Sequence, residues 1–230
     1  MTMEIASAEF TGIYEIPEAA RYLYTDIRIP SVKYNIRSSH LIRWIRYGLA
    51  DPKLVEVPGR QLLMTFEDLI SMRVIAFLRA LNYPFTKIKR AEKLLRQLTG
   101  HTRPFATEPI WAEKKGAADI FTEIASLLLT ASRGGQLAFV DMVKENLINM
   151  HGLSFDERGV AYSWMPRESI LLHAKIQFGR PCIMGTRIPT NDIAGMVKAG
   201  DGLEFLANSY QIDKECIQKA LDWEKELATS

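Results

Sequence analysis

Apolar and polar positions along this chain follow two periods, and each marks its own kind of element. Residues 16–23 read as a short helix, with Pro17 and Glu18 suited to its first turn. Leu41, Trp44 and Ile45 share one face at i, i+3, i+4 spacing, which predicts a helix over 41–47 with Ser38-Ser39 as its N-cap and Gly48 as its stop. Residues 53–65 are β-prone and broken by Pro58-Gly59, which fits a type II turn and predicts a hairpin. A longer helix follows over 66–81. Thr65 is its cap, Glu67 and Asp68 lie in its first turn, and Leu69, Met72, Ile75, Ala76 and Leu78 carry its helical pattern. The stripe Ile88, Ala91, Leu94, Leu95 and Leu98 predicts another helix over 86–98.

From Thr102 the periodicity shortens. Lys114-Lys115-Gly116 and Arg133-Gly134-Gly135 are turn signals between β-prone stretches at 109–111, 119–124, 127–130 and 136–140. Glu157-Arg158-Gly159 separates 153–156 from 160–164 as the two arms of a hairpin. Phe105, Trp111, Phe121, Phe139, Phe155, Tyr162 and Trp164 read as core of this part. Residues 170–172 and 176–178 are strand-like, and helices are expected at 190–199, 203–210 and 214–227. Ile217, Ala220, Leu221 and Trp223 form the apolar stripe of the last. The expected fold is α+β, mainly helical. It has an N-terminal winged helix-turn-helix (1–100), a small β-rich connecting domain (101–167) and a C-terminal three-helix module (168–230).

Charge adds a division that hydropathy does not show. Residues 1–30 and 101–230 each carry net −3, whereas residues 31–100 hold 13 Lys or Arg against 5 Asp or Glu, net +8. One basic block between acidic flanks points to a polyanion-binding module, with a merely solvated basic face as the alternative. A helix that buries Trp44 while holding out Arg43 and Arg46 suits a major groove, and the hairpin tip places Arg60 near phosphate. Ser39, His40, Arg43, Arg46, Tyr47 and Arg60 are the candidate DNA contacts.

Composition excludes several classes. At 47% apolar and 24% charged residues the chain reads as a soluble globular protein, with no apolar run long enough to span a membrane. The first eleven residues lack the pattern of a secretory signal, so a cytoplasmic location is expected. Cys182 and Cys216 form no disulfide framework, and His101, His151 and His173 have no metal spacing. No metalloprotease, P-loop or nucleophile-elbow motif is present, so neither catalytic residues, a metal nor a cofactor is expected.

The most unusual stretch is 179–190, GRPCIMGTRIPT. Its glycines and prolines predict a rigid, sharply bent segment that holds out Arg180 and Arg187, with Thr190-Asn191-Asp192 opening a helix. It resembles the signature G-x-P-x-I-x-G-T-R-I-P-T of a small bacterial domain family of unknown function, over roughly residues 170–227. The family has Asp-Pro where this chain has His173-Ala174. That resemblance implies a VapB-type antitoxin encoded beside a PIN-type ribonuclease toxin.

Residues 13–99 resemble the winged helix-turn-helix of MerR-type regulators. The match runs through Leu41, Arg43, Trp44, Tyr47, Gly48 and Leu49, then Thr65, Glu67, Asp68 and Leu69, and ends with Ile75, Leu78, Arg79 and Ile88. Three departures stand out. The loop before Ser38 is longer, Asn82-Tyr83-Pro84 replaces a glycine turn, and the long dimerising coiled coil is missing, since the chain breaks at Gly100 and Pro104.

The preferred expectation is an antitoxin of a type II toxin-antitoxin system. It would bind operator DNA through 31–100 as a homodimeric repressor and neutralise a PIN-type ribonuclease toxin. Arg180 and Arg187 would then face the toxin's acidic site, because guanidinium pairs with carboxylate in a bidentate fork. The structural alternative has Arg187 paired with Asp192 or with helix carbonyls. The functional alternatives are a MerR-like regulator that answers a small ligand without a toxin, and a scaffold with no DNA role.

Overall fold

The computed structural model describes residues 12–26, 36–49, 53–54, 62–80, 82–108 and 152–229. Strand β1 (Ile13–Glu15) leads directly into α1 (Ile16–Asp26), where Glu18 Oε2 accepts the Glu15 N–H at 3.3 Å and fixes the first turn. Helix α2 (Ser38–Arg46) starts three residues before the expected 41–47, with both serines inside its first turn. Its N-cap is Arg37, in extended backbone, and in the first turn His40 Nδ1 accepts the Arg37 N–H at 3.2 Å, so the capping contact comes from the third helical residue and not from a serine. Gly48 ends α2 at φ 73, with its N–H on the Ile45 carbonyl, as expected.

Strands β2 (Lys53–Leu54) and β3 (Leu62–Thr65) pair antiparallel, and β3 also pairs with β1, giving the order β1-β3-β2. The Pro58-Gly59 turn and Arg60 lie outside the described residues. Helix α3 (Phe66–Ala80) follows β3 without a gap. Thr65 Oγ1 accepts the Asp68 N–H at 3.2 Å and Asp68 Oδ2 accepts the Thr65 N–H at 3.1 Å, a reciprocal capping box. The sequence implied one apolar face, yet every residue of α3 except Glu67 and Arg79 is buried. The sheet, α4, the 3-10 turn Pro104–Ala106 and the second sheet surround it, so even Arg73 is 2% exposed, its guanidinium over the Trp164 ring at 4.9 Å.

Asn82 takes φ 64 where a glycine turn would otherwise stand, and the Tyr83 N–H closes on the Leu78 carbonyl at 3.0 Å. Helix α4 (Phe85–Thr99) then runs to Gly100, left-handed at φ 71. Beyond it Arg103 pairs with buried Asp68 and draws the chain back to the start of α3.

The second sheet is antiparallel, in the order β4 (Leu153–Phe155), β5 (Ala161–Arg167), β6 (Ile170–His173), β7 (Cys182–Ile183). The β4–β5 hairpin turns at 156–160, as expected. Residues 176–178 are not a strand. A 3-10 turn occupies Gln177–Gly179, and Gln177, Phe178 and Gly179 all have positive φ, which no strand tolerates. The aromatic residues split. Phe105 and Trp164 are buried and Phe155 is half-buried, Tyr162 lines a surface cavity, and Trp111, Phe121 and Phe139 lie outside the described residues.

Helices α5 (Thr190–Ala199), α6 (Leu203–Tyr210) and α7 (Lys214–Ala228) complete the chain, with Ile217, Ala220, Trp223 and Leu227 buried on α7. Pro189 holds the N-cap of α5. Thr190 is the first helical residue, as expected, and its single hydroxyl proton is offered to Glu224, with the Pro181 carbonyl also in reach at 3.4 Å. Among the described residues the fold is α+β and mostly helical, with seven α-helices and two small sheets, and no helix is long and apolar enough to cross a membrane. A single apolar cluster runs from Tyr14 to Leu227 through both sheets.

Candidate functional site

Two surfaces collect the candidate residues. The first is the outer side of α2. Leu41 and Trp44 are buried, and Trp44 packs against Phe85 of α4 at 6.3 Å, so the opposite side of the helix faces solvent. Arg43 and Arg46 are exposed there, three residues apart and therefore neighbours on the surface. Among the described residues neither guanidinium has a hydrogen-bond or ion-pair partner. Ser39 is exposed one turn earlier. His40 is half-buried, stacked on Trp44 at 6.3 Å, with Nδ1 committed to the helix cap.

Tyr47 is half exposed. Its ring stacks on Phe85 at 4.9 Å, and its carbonyl accepts from Lys89 Nζ at 2.9 Å. That last bond brings α4 beside the end of α2. Sequence reasoning missed this neighbour: exposed Lys89, Arg90 and Lys93 extend the positive surface beyond the arginines of α2. The basic residues off the α4 stripe were visible in the sequence, but not which helix they would lie beside.

The second surface is the signature loop. Ile183 and Ile188 pair across a tight turn, the Ile183 N–H on the Ile188 carbonyl at 3.0 Å. Thr186 Oγ1 donates to the Ile183 carbonyl at 2.8 Å and accepts the Ile188 N–H at 3.1 Å. Gly185 sits in this turn at φ 79 with open space around it. The segment is bent and internally bonded, as its glycines and prolines predict.

The two arginines differ. Arg180 Nη2 donates to Asn191 Oδ1 at 2.6 Å and pairs with Asp192 Oδ1 at 2.8 Å, so it ties the loop to the first turn of α5. The expected pairing partner of Arg187 is thus taken by Arg180. Arg187 is exposed, and its guanidinium has no hydrogen bond or ion pair among the described residues. Beside it Phe178 and Met184 are 59% and 51% exposed. Cys182 is buried, and burial pushes its thiol up to about 11, so it remains a protonated, packed group.

The loop is welded to the N-terminal unit. Tyr14 Oη donates to the Gly179 carbonyl at 3.0 Å. Arg167 Nη2 donates to the Thr25 carbonyl at 2.6 Å and pairs with Glu226 at 3.0 Å, while Tyr22 stacks on Trp223 at 6.1 Å. Helix α1 therefore touches α2 on one side and the C-terminal module on the other. Between α1 and α7 lies a cleft of about 260 Å³ with Arg21 and Glu224 in its wall, and burial raises the Glu224 carboxyl above its ordinary range.

Residues 170–223 match the model of a family described as Protein of unknown function (DUF433). The match takes in β6, the signature loop, α5, α6 and most of α7. Over the whole chain the fold is similar to the X-ray crystal structure of RV2018 from Mycobacterium tuberculosis. The TM-score is 0.68 at 17% identity, with 91% of this chain and 96% of that chain covered. No curated protein matches the sequence.

Proposed function

We propose that this protein is the antitoxin of a type II toxin-antitoxin system, a DNA-binding repressor that also neutralises a PIN-type ribonuclease. The observation that carries the DNA half is the outward pair Arg43 and Arg46 on α2, neither of which has a partner among the described residues. The order strand, helix, helix, hairpin, helix, helix around it supports a winged helix-turn-helix, with α2 as the groove-reading helix and β2–β3 as the wing. Arg43→Ala with Arg46→Ala weakens operator binding by on the order of 10- to 100-fold and lowers the salt slope by about 2. Arg60→Ala weakens binding with little change in sequence preference, because the Pro58-Gly59 sequence signal assigns Arg60 to phosphate contact and not to base readout. Gel shifts over a salt series read both effects, and an unchanged affinity and slope in the double variant removes α2 from the interface. A palindromic operator needs two such units, so the free protein is a homodimer by light scattering.

The partner half rests on the signature loop and the family match over residues 170–223. A ribonuclease whose metal is held by clustered carboxylates meets its inhibitor best through a guanidinium. Arg187 is the one of the two candidates with its fork free, on a turn already bonded into shape, which lowers the entropy lost on docking. Arg187→Ala keeps the melting temperature of the parent and weakens inhibition about tenfold or more. Arg180→Ala, which breaks a half-exposed pair worth about 0–1 kcal/mol, leaves inhibition nearly intact. Co-purification with the product of the neighbouring gene, followed by ribonuclease assay, decides. A fully silent ribonuclease with Arg187→Ala moves the inhibitory contact elsewhere.

A further inference from the structure

A second cavity, of about 280 Å³, opens between the first turn of α3 and the outer side of β5 and β6. Phe66 and Ala161 form its apolar floor, and the Tyr162 ring stands against it, edge-on to His173 at 5.2 Å. Polar groups converge from two sides. Glu67 enters from α3, His173 and Lys175 from the end of β6, and the Asp156–Arg158 ion pair borders the cavity at the β4–β5 turn. Among the described residues the Glu67 carboxylate, the His173 Nε2 and the Lys175 ammonium have no hydrogen-bond or ion-pair partner. An apolar floor ringed by a few unsatisfied polar groups is how small-ligand sites are built, and a volume just below the drug-sized range selects a single ring.

We propose that this cavity binds a single-ring aromatic acid, its anionic group held by Lys175 and His173 and a hydrogen-bond donor on its far edge held by Glu67. The backbone sets the histidine's role. Its Nδ1 accepts the Lys175 N–H at 3.0 Å, so in the neutral ring the proton sits on Nε2 and points to the ligand's anion. Burial and the Lys175 charge lower the His173 pKa, which favours that neutral ring. Burial first, then Asp68, raises the Glu67 carboxyl, a group that gains most from a donor brought to it. The site depends on neither the DNA nor the ribonuclease assignment. Because Glu67 lies in the first turn of α3, two residues after β3 ends, an occupant touches the root of the hairpin.

The test is calorimetric titration of the full chain with 4-hydroxybenzoate, with benzoate and benzylamine as probes of the donor and of the charge. Saturable binding of one 4-hydroxybenzoate per chain is expected, with no binding of benzylamine. Lys175 is exposed, so Lys175→Ala keeps the fold and weakens 4-hydroxybenzoate about tenfold. In the parent, benzoate binds several-fold more weakly than 4-hydroxybenzoate, and Glu67→Ala abolishes that difference. Arg21→Ala, in the separate cleft between α1 and α7, changes nothing. Absence of saturable binding by 4-hydroxybenzoate, equal affinity in Lys175→Ala, or benzylamine binding as tightly as the acid overturns the proposal.

Discussion

Gly179→Ala lowers the stability of the whole fold by roughly 2–6 kcal/mol, the sum of about 1–3 for a side chain at positive φ and about 1–3 for overpacking. Both parts are set by the geometry. Gly179 is at φ 88, and an added Cβ meets the hydroxyl of Tyr14, with Tyr14 Cζ at 2.7 Å and Gly12 Cα at 3.0 Å. Tyr14 is 1% exposed and surrounded by Tyr22 and Phe66, so it has nowhere to retreat. Gly185→Ala is the internal control. Its φ is 79, but nothing lies within 4 Å of the new carbon, so only the backbone cost remains. Urea denaturation of the two variants separates the effects. A Gly179→Ala protein no less stable than Gly185→Ala would mean that the contact between loop and N-terminal strand is slack.

Asp68→Ala has a comparable effect, about 3–5 kcal/mol, through a different cause. The Asp68 carboxylate is 2% exposed and answers to two elements. One oxygen accepts the Thr65 N–H and hydroxyl at the head of α3, and the other pairs with Arg103 after α4. Removing it uncaps the central helix and takes the Asp68 carboxylate away from the Arg103 guanidinium, which is only 14% exposed. Thr65→Ala removes the cap alone and costs about 1 kcal/mol. If Asp68→Ala unfolds at the same denaturant concentration as Thr65→Ala, the ion pair contributes nothing to the fold.

Much of the framework was legible because it is encoded locally. Trp44 and Leu41 at helical spacing, Gly48 and Gly100 past helix ends, Thr65 before a carboxylate, and a polar turn between Phe155 and Ala161 each act within a few residues. The misreadings occur where a distant group outbid a local one. Residues 176–178 look β-prone, yet the chain turns there, beside the Gly179 carbonyl that accepts from Tyr14, 165 residues away in sequence. Thr190 opens its helix where the sequence places it, yet its hydroxyl is engaged by Glu224 and the Pro181 carbonyl rather than by the helix's first N–H groups. Nothing local distinguishes Arg180 from Arg187 either. The difference is that Asn191 and Asp192 come round to meet the first. Full burial of α3 has the same origin, since one helix cannot announce how many elements will cover it.

The shared wall at α1 bears on how separable the C-terminal module is. The segment matching the family model, residues 170–223, stops short of Leu227 and contains neither β5 nor α1. Yet Trp223 finds its stacking partner in Tyr22, Leu172 lies beside Trp164 across the β5–β6 ladder, and Gly179 leans on Gly12 and Tyr14. Cut out alone, that segment would present these surfaces to water. As a unit of exchange between proteins it is therefore not a free cassette. A host chain that acquires it must already offer an aromatic shelf and a glycine-width gap in the right places, or else bring its own β5 and α1 along.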